Sequence, residues 1–192
     1  MPKYTNERLT EFKLKGYMTF MRYEEFKQHH ATIAAPKDQA LDTFLFFTGS
    51  RPGEATLIQR KDVRYENSRI YFSIPTLKRK DKFQRPLEYA VATFPELLSL
   101  WDYCKEMPDD FYLFGWLKSY HNPRDYIREH LGLPAYFFRH NLVSLGRKAG
   151  LNNDQLMLLK GSKDPRSITP YIHLDEEQTK AISRRLSKGI LA

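Results

Sequence analysis

Helical spacing of apolar residues begins at about Thr19, which can cap a short segment, and predicts a helix over Tyr23 to His30. Glu24 and Glu25 lie near its start, where the helix dipole favours negative charge, and His29 and His30 at its end read as dipole partners or surface groups. Pro36 opens a second helix, with Leu41, Phe44, Leu45 and Phe47 on a buried apolar face. Thr48 and Gly49 break it and Pro52 begins the next, so Arg51 falls in a turn between two helices, where a rigid scaffold can present a side chain to a ligand.

The period then changes. RIYFSI (69 to 74) alternates as a strand, and PLEY (86 to 89) returns after a connection that carries Lys78, Arg79, Lys80, Lys82 and Arg85. Such a run is a solvated basic tip suited to backbone phosphates. Phe94 to Met107 reads as an amphipathic helix with Leu97, Leu98, Trp101 and Cys104 on its core side, and Tyr112, Leu113, Phe114 and Trp116 as buried aromatic filler. A further helix lies near Pro123 to His130, another runs from Pro134 to about Gly150, and Asn152 or Asn153 caps a short one reaching Leu159. From Leu174 to Ile190 the spacing is again helical, and that helix would dock on its own domain or on a neighbouring protomer. Residues 1 to about 20 hold few apolar anchors and read as a linker or a short docking helix.

Composition narrows the classes. At 192 residues the chain suits one domain, from about residue 21 to the end, with a short extension before it. Its net charge of +8 fits a polyanionic partner, although charge alone favours nucleic acid only modestly. The single cysteine, Cys104, excludes an intramolecular disulfide and any cysteine-rich zinc site, and the histidines show no metal spacing. No apolar run approaches the roughly 18 residues of a membrane span, and MPKYTNERLTEFKLKG lacks the apolar centre of a signal peptide. An intracellular protein without membrane association is the expectation.

Candidate chemistry concentrates between Tyr136 and His173, where Arg139 and His140 precede Tyr171 by a long but fixed interval. A guanidinium grips phosphate oxygens through its planar fork, while a phenol can attack phosphorus and hold the product covalently. A second arginine is available at Arg51. Together these residues resemble the catalytic domain of the tyrosine recombinases, the phage-type integrase family. The family's first box, TG-x-R-x-x-E-x-x-x-L-x-x-x-D, is met by Thr48, Gly49, Arg51, Glu54 and Asp62, with Ile58 for the leucine. Its second box, H-x-x-R-H, is met by Arg139 and His140, with Tyr136 in the first histidine's place. Its L-G-[H/W] segment corresponds to Lys160, Gly161 and Ser162, and Tyr171 stands at the nucleophile's offset from it. Lys78 stands eight residues before Pro86, the offset of the family's hairpin lysine.

The resemblance implies a mainly helical domain (α+β) with a small antiparallel sheet near residues 69 to 90, lacking the family's separate DNA-clamping domain. It implies that Arg51 and Arg139 clamp a DNA phosphate, that Tyr171 attacks to form a 3′-phosphotyrosyl link, and that Lys78 protonates the leaving 5′ oxygen. Glu54 would orient Arg51 and His140 would support the helix, while Tyr136 and Ser162 would offer hydrogen bonds where the family has proton-carrying or larger groups. Arg79, Lys80, Lys82 and Arg85 would contact DNA. No metal or cofactor is implied, and the partners would be double-stranded DNA and further copies of the chain, four on paired sites, in recombination or integration of mobile DNA. A catalytically impaired DNA-binding module and a type IB topoisomerase-like relaxing enzyme are the alternatives.

Overall fold

The computed structural model describes residues 20–77, 84–120, 122–162 and 164–168. The Thr19 cap, the N-terminal extension, Lys78, Arg79, Lys80, Lys82, Tyr171 and the helix predicted over Leu174 to Ile190 lie outside the described residues.

Helix α1 (Tyr23–Ala31) is capped by its own first turn, where the Glu25 carboxylate accepts the Arg22 main-chain N–H at 2.8 Å. Helix α2 (Pro36–Thr48) is the centre of the molecule. Every residue from Ala40 to Thr48 is buried, as expected of a helix enclosed on all sides. Its buried Asp42 corrects the expectation for His29 and His30. Both imidazoles point inward from the end of α1, 3.2 and 3.3 Å from the two Asp42 carboxylate oxygens, because a carboxylate with no access to water must be partnered by polar groups. Gly49 closes α2 with a φ of 55°, and a single helical turn, α3 (Pro52–Ala55), follows Arg51.

A three-stranded antiparallel sheet comes next, in the order β1 (Val63–Glu66), β2 (Arg69–Pro75), β3 (Gln84–Ala90). Strand β1 was not anticipated. Asn67 and Ser68 both take positive φ, 50° and 60°, as a two-residue type I′ hairpin requires, and Glu66 pairs with Arg69 across it. Strand β2 buries Ile70, Phe72 and Ile74, and these stand opposite Tyr89, Leu87 and Arg85 of β3. By the two-residue period of a strand, Arg85 therefore faces the core.

Helix α4 (Leu97–Cys104) is shorter than its apolar spacing suggested and buries Leu97, Leu100 and Cys104, while Leu98 turns outward. Leu113 and Phe114 fill the core as expected, whereas Tyr112 is exposed. Asn122 caps α5 (Pro123–His130) by accepting the Arg124 N–H at 3.0 Å. Helix α6 (Phe137–Lys148) starts three residues after Pro134, with Pro134 to Tyr136 forming a lead-in turn, and packs on α2. Asn152 caps α7 (Asn153–Lys160) through reciprocal bonds with Gln155, both 2.9 Å, and Gly161 ends it with a φ of 65°. Val143, Leu156 and Ile168 form a small second core that holds α7 and the following turn against α6. No helix among the described residues is long and apolar enough to cross a membrane.

Candidate active site

Arg51 and Glu54 build the first half of the site from a four-residue helix. A single turn has too few internal hydrogen bonds to stand alone. The Glu54 carboxylate compensates by accepting the Arg51 main-chain N–H at 2.8 Å, and its other oxygen accepts from the Arg51 guanidinium. The side chain that caps the turn thus also holds the Arg51 guanidinium.

Glu54 is fully buried, and two further guanidiniums reach it. Arg139, from the first turns of α6, stands 3.6 Å from Glu54 Oε2, and Arg85, from β3, stands 3.8 Å from the same oxygen. Each is also held by main-chain carbonyls. Arg139 donates to Gly49 O at 3.1 Å and to Lys160 O, and Arg85 donates to Thr48 O at 2.9 Å and Leu159 O at 2.6 Å. Those carbonyls belong to the C-terminal ends of α2 and α7, where helix carbonyls lack partners of their own. One carboxylate therefore gathers three guanidiniums, a net positive centre in a largely dry setting.

Two glycines allow the approach. A Cβ on Gly49 would lie 2.8 Å from Leu142 Cδ2 and 3.4 Å from Arg139 Cα, and one on Gly161 would lie 2.8 Å from Arg85 Cδ. Both residues also sit in the left-handed region that favours glycine.

Arg85 departs from expectation. It was placed among the exposed cations of the hairpin, but only 1% of it is accessible and its guanidinium bonds inward. Burial pushes its pKa below the ordinary arginine range, against the pull of Glu54. Its role here is to hold the ends of α2 and α7 to the sheet, and the alternation of Arg85, Leu87 and Tyr89 along β3 was the signal for it.

The other expected residues fall around this centre. His140 follows Arg139 on α6, and burial, then Lys160 and Arg139, lower its pKa to about 4, so it is neutral at pH 7. Tyr136 precedes α6 and is 36% exposed; its hydroxyl accepts from Arg124 of α5 at 3.1 Å, and the same guanidinium lies 5.1 Å from its ring centroid. Ser162 lies in the turn after α7, its Oγ accepting the Asp164 N–H at 3.3 Å and the Ser167 hydroxyl at 3.1 Å. Beyond Ser162 the chain is anchored by Ile168, 1% exposed, three residues before Tyr171.

Two side chains were not foreseen. Arg124 meets Tyr136 only because α5 and the lead-in to α6 come together in space, so no local pattern marks it. Lys160 ends α7, a position that reads simply as a cation at a helix C-terminus. Its ammonium donates to Ser167 O, and its pKa is lowered to about 8 by burial, then by Arg139 and Arg51, against Asp164. Among the described residues no cluster of three or more His, Cys, Asp or Glu could hold a metal ion.

This architecture is the catalytic-domain fold of the tyrosine recombinases. The XerH site-specific recombinase, solved on its difH substrate before cleavage, superposes with a TM-score of 0.56 and 21% identity, over 85% of this chain and 53% of that one. XerA recombinase gives a TM-score of 0.59 at 18% identity, over 87% and 63% respectively. The Tn1549 transposon integrase, solved with circular intermediate DNA, gives 0.58 at 16%, over 88% and 67%. The chain thus spans about half the length of XerH and under two thirds of XerA. No family profile and no curated protein matches the sequence.

Proposed function

We propose that the protein cuts and rejoins DNA strands as a site-specific recombinase or integrase, through a 3′-phosphotyrosyl intermediate on Tyr171. The observation that carries this reading is the meeting of Arg51 and Arg139, distant in sequence, on the single carboxylate of Glu54. A guanidinium pair held in place before substrate arrives suits a phosphate whose oxygens gain charge in the transition state. In the proposed reaction the Tyr171 oxygen gives up its proton to water and bonds to phosphorus, the phosphorus–O5′ bond breaks, and Lys78 supplies the proton that the 5′ oxygen takes. Attack by a 5′-hydroxyl reverses the step, so the phosphodiester energy is kept in the covalent link and no nucleotide cofactor is consumed. Paired DNA sites and four protomers would be the working assembly, and the place of action an intracellular DNA-associated one.

A second reading has an observation of its own. The side chains at the family's two histidine positions, Tyr136 and Ser162, are neutral hydroxyls already engaged by Arg124 and by the turn after α7. A DNA-binding module that does not cleave would look like this. Incubation with negatively supercoiled plasmid separates the two. The cutting enzyme leaves a denaturation-resistant protein–DNA adduct that disappears in Tyr171→Phe, whereas the module binds plasmid without an adduct. Relaxation that survives in Tyr171→Phe would overturn the assignment of the nucleophile.

A further inference from the structure

Four cationic side chains gather at the centre of this site, and the family resemblance accounts for only some of them. Arg85 is consumed by the framework, bonded to the ends of α2 and α7. Lys160 is different. Its main-chain carbonyl accepts the Arg139 guanidinium, so its side chain leaves the backbone beside the residue that would hold the phosphate. Its ammonium is half-buried, donates to the neutral Ser167 carbonyl, and is close enough to Arg139 and Arg51 for both to disfavour its charge.

Among the described residues, charged groups come to Lys160 from several elements. Helix α6 brings Arg139 and neutral His140, α3 and its cap bring Glu54 and Arg51, β3 brings Arg85, and the turn after α7 brings Asp164 and Arg166. Asp164 is bound to Arg166 at 3.1 and 3.2 Å. Glu54 is the carboxylate that Arg51, Arg85 and Arg139 share. Among these described groups the balance is positive, and a bound phosphate diester would relieve it. Tyr136 and Ser162, where the family's chemistry expects groups able to carry a proton, end in hydroxyls and bring no positive charge.

We propose that Lys160 is a catalytic residue, its ammonium binding a non-bridging oxygen of the DNA phosphate together with Arg51 and Arg139 and supplying the charge that Tyr136 and Ser162 lack. This rests on the strand-cleaving reading for its substrate, but not for the anion site itself. The two are separated by using sulfate, which stays a dianion across the range needed, as a probe of the free full-length chain.

Sulfate titrations followed by the amide resonances of Gly49 and Gly161, at pH 7 and pH 9.5, give the first readout. In the wild type, affinity falls on the order of tenfold between these pH values, because the ammonium is charged below about 8 and lost above it. Lys160→Arg binds at both pH values, since guanidinium stays charged, and Lys160→Met binds on the order of tenfold more weakly at pH 7 with little pH dependence. The second readout is the rate of adduct formation on plasmid. Lys160→Met slows it on the order of a hundredfold, and Lys160→Arg retains it while losing the fall above pH 8 that the ammonium imposes. Wild-type sulfate affinity and pH dependence in Lys160→Met, or an unchanged adduct rate, overturns the assignment of Lys160 and leaves the cleavage reading intact. The sulfate pattern without any adduct from the wild type overturns the cleavage reading and keeps Lys160 as an anion ligand.

Discussion

His140 follows Arg139 in the chain, yet the two neighbours carry opposite lessons about charge. Glu54 and two carbonyls face the Arg139 guanidinium, whereas His140 loses its charge to burial and to Lys160 and Arg139. A base whose folded pKa lies below its unfolded value contributes stability that is complete above about pH 6.5 and is lost as pH falls toward 4. The full shift would be worth about 3 kcal/mol, and partial exposure reduces this to about 1–2 kcal/mol. His140→Gln should therefore flatten the acid side of the stability profile by that amount. Urea titrations of both proteins at pH 7 and pH 4.5 measure it, and parallel profiles would show that His140 is not buried as a neutral group. The same neutrality means that His140 brings no positive charge near pH 7 and leaves that to the arginines and Lys160.

At the scale of elements, the site is a meeting of helix ends. The C-termini of α2 and α7 offer carbonyls, and Arg85 and Arg139 satisfy them from a strand and a helix that are remote in sequence. Gly161 makes this possible, and Gly150 is its natural control. Both have positive φ, 65° and 87°, but a Cβ at Gly150 meets nothing within 4 Å while one at Gly161 meets Arg85. Each alanine substitution should cost about 1–2 kcal/mol for the left-handed backbone, and Gly161→Ala about 1–3 kcal/mol more from overpacking against Arg85. Equal losses in chemical denaturation would mean that Arg85 yields freely. Much of this arrangement was legible beforehand, because Pro36, Pro52, Pro123 and Asn152 punctuate helices at the ends that the structure shows. Strand β1 was not, since Val63 is its one buried residue and its hairpin uses Asn67 and Ser68 rather than a glycine. Arg85 was misplaced by counting it with the nearby cations instead of following the strand period. His29 and His30 were misplaced because what draws them inward is Asp42, on another helix. Arg51 and Arg139 were legible as a pair only through the spacing of their boxes; Glu54 could be named as the partner of Arg51, but neither its reach to Arg139 nor the third guanidinium could.

For the whole molecule, the net charge of +8 divides into parts that a polyanion would sense differently. On the described surface many cations are already paired with carboxylates, such as Lys27 with Glu24, Arg69 with Glu88, Lys105 with Asp102 and Arg128 with Asp125. Pairs of this kind contribute little to stability and partly cancel in the long-range field. Arg85 is also removed from the exposed total, being buried against Glu54 and two helix ends. If duplex DNA is the partner, as proposed, Arg79, Lys80 and Lys82 are its expected phosphate ligands on the basic connection. Each phosphate left without its protein cation lowers the salt slope of log affinity by about 0.9. The triple substitution Arg79→Ala, Lys80→Ala, Lys82→Ala should then flatten the slope by about 2–3 and weaken binding alike on unrelated sequences, because phosphates carry no sequence information. Arg85→Lys should leave the slope unchanged while lowering stability, since a single ammonium cannot satisfy the carbonyls at Thr48 and Leu159 together with Glu54 as a planar fork does. Fluorescence anisotropy on two unrelated duplexes across a salt series tests both statements. An undiminished slope in the triple variant would move phosphate binding off this connection, and a reduced slope in Arg85→Lys would mean that the buried arginine helps to position the DNA-facing surface.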